Sequence, residues 1–257
     1  MTESFVDVDG VRLEVLRIEA RDPKAPPLVF LHEGLGSVAM WRDFPARVAA
    51  STGAETIVYS RRGYGRSAGL PGPRPVDYMQ AEAREVLPRL LERLGTKDPV
   101  LIGHSDGASI ALIYAGARLP AAGLVLMAPH VFVEDVTVAS IAAAREAHRT
   151  TDLPQRLGRY HDDPDGAFRG WNDIWLDPAF RGWNIEACVP DIAAPMLLIQ
   201  GEDDEYGTAA QVETIKRLAR TRCELALLPE CGHSPQRDQP ARTLELITTF
   251  VRSAGSR

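Results

Sequence analysis

Two hydrophobic periodicities alternate along this chain. Near its start, residues 5–8 and 11–18 flank Asp9-Gly10. That dipeptide is the strongest short signal for a two-residue hairpin turn. Beyond it, short apolar runs recur at 27–32, 56–59, 99–103, 123–127, 195–200 and 224–228. Amphipathic stretches separate them and predict helices over 41–51, 76–94, 107–118, 208–221 and 240–253. Pro88 is expected to kink the second of these. Strands that are apolar throughout, spaced by helices, belong in a mostly parallel sheet covered on both faces. The predicted fold class is α/β, with an antiparallel N-terminal hairpin.

One interval breaks the rhythm. Residues 130–194 carry no strand pattern. Arg145, Glu146, Arg149 and Arg156 mark solvated helical faces, and Trp171, Trp175 and Trp183 gather in its second half. A long strandless interval inside an alternating pattern predicts an inserted helical cap. The expected organisation is a core of residues 1–129 and 195–257 with a cap of residues 130–194. The tryptophans either fasten the cap to the core or wall a pocket beneath it, where aromatic linings are favoured. Trp171, Trp175 and His130, which follows a strand, are the substrate-contact candidates from this region.

Composition narrows the class. The formal net charge of -6 comes with no basic run and no zinc-finger spacing, so nucleic acid is not an expected partner. No apolar stretch approaches the ~18 residues that span a bilayer. The three cysteines are odd in number and contain no Cys-x-x-Cys pair, which argues against a disulfide framework and for a reducing compartment. The first residues lack the basic-then-apolar pattern of a secretory leader. A soluble cytoplasmic protein acting on a small molecule is expected, and the pattern is silent on oligomeric state.

The chemistry concentrates in Gly103-His104-Ser105-Asp106-Gly107. This Gly-x-Ser-x-Gly lies between a predicted strand and a predicted helix, the setting of a nucleophile elbow. Small residues on either side let the backbone turn sharply, and the helix N-terminus places amide donors beside the serine. A hydroxyl needs an adjacent base to attack near neutral pH. His233, in the loop after the last predicted strand, is the best-placed histidine, because catalytic groups collect at the C-terminal edge of such sheets. His148 and His161 read as cap histidines of the surface. An oxyanion site needs two fixed N–H donors. The backbone amide of Asp106 supplies one; the glycine-rich His32-Glu33-Gly34-Leu35-Gly36-Ser37 loop supplies the other, from Gly34 or Leu35.

Together these features resemble the α/β-hydrolase superfamily over nearly the whole chain. The hairpin, the loop after His32, Arg62-Gly63-Tyr64-Gly65-Arg66-Ser67, the elbow, the cap and the two C-terminal loops all take part. Ser105-Asp106-Gly107 and Gly34-Leu35-Gly36-Ser37 look most like the biphenyl-hydrolase-like, amino-acid-ester-cleaving branch of carboxylesterase-type enzymes. The resemblance implies the order serine, acid, histidine, which places the acid in Gly201-Glu202-Asp203-Asp204-Glu205. Asp204 stands at the usual spacing and Asp203 is the alternative. It also implies a serine hydrolase of small carboxylic esters, amino-acyl esters, thioesters or lactones, needing neither metal nor organic cofactor. A carbon–carbon bond hydrolase on the same triad is an alternative, as is a ligand-binding sensor that keeps residual hydrolysis. A haloalkane dehalogenase is disfavoured, since that chemistry uses an aspartate where Ser105 stands.

Two residues depart from the commoner pattern. Glu33 replaces a glycine, and Asp106 replaces an apolar residue. Either these carboxylates bond to backbone or arginine and shape the loops, or they hold a cationic substrate group near the scissile carbonyl.

Overall fold

The computed structural model describes residues 1–254. In chain order, strands β1 (Thr2–Val8), β2 (Val11–Ile18) and β3 (Leu28–Leu31) precede helix α1 (Phe44–Thr52) and strand β4 (Thr56–Tyr59). Helices α2 (Tyr78–Ala81) and α3 (Leu87–Leu94) lead to β5 (Val100–His104), α4 (Asp106–Gly116) and β6 (Gly123–Met127). Then come α5 (Asp135–Thr150), α6 (Leu153–Leu157) and α7 (Pro164–Trp175). The chain finishes with β7 (Met196–Gly201), α8 (Ala210–Leu218), β8 (Cys223–Leu228), α9 (Pro235–Asp238) and α10 (Pro240–Ala254).

The strands form one eight-stranded sheet in the order β1-β2-β4-β3-β5-β6-β7-β8. Only the hairpin is antiparallel: β1 pairs β2, and β2 pairs β4, in that sense, while the remaining pairs run parallel. Asp9 and Gly10 both take positive φ, 53° and 80°, as a hairpin turn matched to strand twist requires. In β3, Leu28 and Phe30 pack into one core cluster, and Val29 and Leu31 into another on the opposite face. This two-residue alternation with both faces buried explains the unbroken apolar runs. Helices α1 and α10 cover one face; α2, α3, α4 and α8 cover the other.

The helix expected over 76–94 contains a structural surprise. Its middle, Glu82–Val86, winds as a π-helix before α3 resumes with Pro88 in its first turn. The wider turn sits immediately before the proline, which has no N–H to offer the ladder. Residues 130–194 contain helices and short 3-10 turns and, among strand-type pairings, a single isolated bridge between Phe132 and Asn184. Within this interval Glu186–Asp191 packs on α4, where Cys188 presses against Gly116. Among the described residues no helix is long and apolar enough to cross a membrane.

Candidate active site

The elbow between β5 and α4 is strained where the sequence predicts. Ser105 has φ 52° and ψ -118°, a region that non-glycine residues rarely occupy. The strained turn is pinned by Ser105 N–H donating to Met127 O at 2.9 Å, and by Ser105 O accepting from Ala108 and Ser109 N–H. The flanking glycines are obligatory. A Cβ on Gly103 would lie 2.5 Å from Ala108 backbone, and one on Gly107 would lie 2.0 Å from Leu31 O.

Across from the serine, His233 Nδ1 lies 2.8 and 2.9 Å from the two carboxylate oxygens of Asp204. The carboxylate accepts from Nδ1–H, so the free Nε2 lone pair is the one available to take a proton. Asp204 also accepts from Tyr206 N–H (2.8 Å), Gly207 N–H (3.1 Å) and Gln200 Nε2 (2.6 Å). Burial alone would raise the Asp204 carboxyl, but the His233 hydrogen bond and charge outweigh it, and the group lies below its ordinary value. Asp203 offers only its backbone here, to Cys231 O, and its side chain is exposed. The main chain of His233 is also fixed: its N–H donates to Glu205 Oε2 (3.1 Å), and its carbonyl accepts from His104 Nε2 (2.7 Å).

Ser105 and His233 line one cavity of about 260 Å³, together with Glu33, Gly34, Leu35, His104, His130, Trp171, Trp175 and Tyr206. Among the described residues no hydrogen bond joins the Ser105 hydroxyl to His233; such bonds tighten when substrate is positioned for attack. The candidate oxyanion donors lie near Ser105: Gly34 and Leu35 on the cavity wall, and Asp106 as the first residue of α4. Trp171 lies so close over Gly34 that a Cβ there would be 2.2 Å from the indole.

Asp106 and Glu33, alike in charge, have opposite placements. The Asp106 side chain is fully buried and turned away from the cavity, accepting from Tyr78 Oη (2.6 Å) and Trp175 Nε1 (3.2 Å), with Arg61 at 3.7 Å. It therefore cannot hold a substrate cation, and of the two expectations the loop-shaping one describes it. Glu33 faces the cavity, with Arg237 at 3.6 Å and His104 Nδ1 at 3.5 Å. Burial would raise its carboxyl, but His104 and Arg237 hold it well below the usual carboxylate range.

Sequence reasoning missed the buried Arg61. Its guanidinium donates to the carbonyls of His32 and Glu33, while facing Asp106. One cation thus ties the loop bearing Gly34 and Leu35 to the start of α4. A buried aspartate at the head of α4 demands a cationic or hydrogen-bonding partner, and that demand was the available signal. His161 was also misjudged: it is buried, not at the surface. Its Nδ1 accepts from Gly65 N–H at 2.9 Å, so Nε2 carries the proton and donates to Leu35 O at 3.2 Å. Glu205, Tyr206 and Arg237 also line the cavity without having been singled out, as do Thr137, Ile141 and Ser234.

Residues 28–246 match the model of the alpha/beta hydrolase family. The chain belongs to that family. A proline iminopeptidase of Lactobacillus delbrueckii subsp. lactis is 24% identical over 275 aligned residues, covering 91% of this chain and 93% of that protein. Among solved structures, VinJ superposes with a TM-score of 0.76 at 24% identity, covering 98% of this chain and 99% of its own. A structure from work on carboxylesterases of the ammonia-oxidizing thaumarchaeon Nitrososphaera gargenis gives 0.78 at 17% identity, covering 98% of each chain. At these identities the structural likenesses establish the fold alone. This alpha/beta hydrolase is an enzyme of hydrolytic type, and its mostly parallel sheet with an antiparallel edge is the family's architecture.

Proposed function

We propose that the protein cleaves a small carboxylic ester through an acyl-enzyme on Ser105, with His233 as general base and Asp204 as the acid that orients it. The observation that carries this reading is the shared cavity. A serine held at φ 52° faces it from one element, and a histidine bonded at 2.8 Å to a buried carboxylate faces it from another. His233 Nε2 takes the hydroxyl proton as Ser105 Oγ attacks the carbonyl carbon. The resulting oxyanion is received by the Asp106 amide and that of Gly34 or Leu35. His233 returns the proton to the leaving alcohol, and water then attacks the acyl-enzyme with His233 again as base. Residues 130–194 act in this reading as the cap, with Trp171 and Trp175 as its contribution to the wall.

An amino-acyl ester or amide is the second reading, favoured by the ionised Glu33 on the cavity wall and by the name of the proline iminopeptidase relative. The test of the shared mechanism is covalent labelling by a fluorophosphonate probe. The probe is expected to modify the wild-type protein on Ser105 and to leave Ser105→Ala unmodified. No modification of wild type, or modification that survives the substitution, contradicts the proposal.

A further inference from the structure

His130 sits on the cavity wall without a chemical assignment. It follows β6, and its backbone is clamped from both sides by one hydroxyl: Ser109 Oγ donates to His130 O at 2.6 Å and accepts from His130 N–H at 3.1 Å. Ser109 lies one turn along α4 from Ser105, so the imidazole is fixed relative to the nucleophile. Trp175 packs edge-on against the ring with centroids 5.2 Å apart, and His233 lies at 5.6 Å. The side chain has the rigidity of a positioned group.

Its nitrogens are unused. Nδ1 is sealed from solvent with no partner, and among the described residues Nε2 has none either. A Cβ placed on Gly207 would lie 3.1 Å from Cε1 and 3.4 Å from Nδ1, so that edge of the ring abuts the Gly207 backbone. Nε2 is then the nitrogen that an occupant of the cavity can meet. Burial, with the neighbouring His233 next, lowers the imidazole to about 3, so it is neutral at working pH. A neutral ring bears one N–H and one lone pair. Buried N–H groups without acceptors are rarer than unused acceptors, which puts the proton on Nε2, facing the cavity. The other charged or titratable groups on this wall are Glu33, His104, Glu205, Tyr206, His233 and Arg237.

We propose that His130 Nε2–H is a substrate-reading donor, and that the preferred substrate carries a neutral oxygen acceptor, an ether, hydroxyl or ketone, beyond the scissile carbonyl. This rests on Ser105 being the nucleophile and adds the class of acyl group. A site built to hydrogen-bond such an oxygen discriminates against the analogue that lacks it, because the donor is then left unpaired. An unpaired buried donor costs enough to produce a discrimination on the order of tenfold or more.

The test uses two matched pairs of p-nitrophenyl esters: methoxyacetate against butyrate, and 4-oxopentanoate against pentanoate. kcat/KM is measured for wild type, His130→Phe and His130→Gln. Comparing each pair's ratio between proteins cancels intrinsic ester reactivity. The expected result is a wild-type ratio at least about fivefold above that of His130→Phe in one pair. His130→Gln, which retains an N–H, should recover part of it. A difference below about fivefold in both pairs overturns the proposal, including the case where His130→Phe slows all four esters equally, as a purely structural role would. If His130→Phe does not fold, the comparison with His130→Gln and His130→Leu takes its place under the same threshold. Fluorophosphonate labelling of Ser105 in each variant separates this failure from failure of the nucleophile assignment, which would abolish labelling in wild type.

Discussion

Asp106→Ala tests how the two halves of the proposed oxyanion site are held together. The Asp106 carboxylate is fully buried and takes hydrogen bonds from Tyr78 and Trp175 while facing Arg61, itself 1% exposed. Removing it takes from the buried Arg61 guanidinium its nearest carboxylate, a change that costs about 3–5 kcal/mol when one partner of a buried pair is lost. The Tyr78 hydroxyl and the Trp175 N–H also lose their acceptor, at ~1–3 kcal/mol each, with overlap because the three groups relax together. A total of about 4–7 kcal/mol is a large share of the ~5–15 kcal/mol that holds a typical domain together. Urea unfolding at neutral pH should therefore move its midpoint sharply downward. The double variant Arg61→Met with Asp106→Leu should lose clearly less than the sum of the two singles, since the attraction between the two side chains is counted in both singles. On any protein that remains folded, kcat/KM should fall by the same factor for amino-acyl and neutral esters, because this carboxylate does not reach the cavity. A stability loss under about 1 kcal/mol, or a loss confined to the cationic substrate, refutes the reasoning.

Ser105→Gly should abolish turnover yet unfold at higher denaturant than Ser105→Ala, by about 1 kcal/mol, because glycine adopts φ 52° without the penalty; equal midpoints would mean that the turn stores no strain. Gly107→Ala should fail to accumulate as folded protein or lose activity outright, since its Cβ would meet Leu31 O at 2.0 Å; a folded, active variant in circular dichroism and ester assays contradicts the packing. Asp204→Asn should lower kcat by roughly 10³–10⁴ while leaving substrate affinity close to wild type; a loss confined to KM would remove its orienting role. His130 takes up a proton near 6.5 when unfolded but only near 3 when folded, so the folded state binds fewer protons between those values. Stability should thus be complete above pH 6.5 and fall as pH drops towards 3, by up to ~1.4 kcal/mol per pH unit from this group. The same series of urea melts on His130→Phe should show a shallower decline, and parallel curves would exclude the effect.

The hairpin, the buried strands and the elbow were legible because each has a local cause. Asp9-Gly10 sets a turn, alternation within β3 sets two buried faces, and Gly103 and Gly107 remove side chains from places where backbone passes. The meeting of Asp204 with His233 is what the family resemblance implied, and it occurs in the loops where β7 and β8 end. What the sequence concealed depends on pairings between distant segments. Nothing in the residues around Arg61 marks it as buried; the fold brings it to 3.7 Å from Asp106. His161 reads as a cap histidine until Gly65 and Leu35 enclose it. The π-helical turn at Glu82–Val86 leaves no mark in the pattern of apolar positions, and a proline kink was the nearest available reading.

The central claim is that Ser105 becomes acylated during turnover. Rapid acid quench of enzyme mixed with excess p-nitrophenyl butyrate, followed by peptide mass mapping, measures this directly. A butyryl group on the peptide containing Ser105, formed at the rate of the initial p-nitrophenol release and absent from Ser105→Ala, is the expected result. Steady hydrolysis with no acyl group on that peptide, or an acyl group on another residue that turns over equally fast in Ser105→Ala, would contradict it.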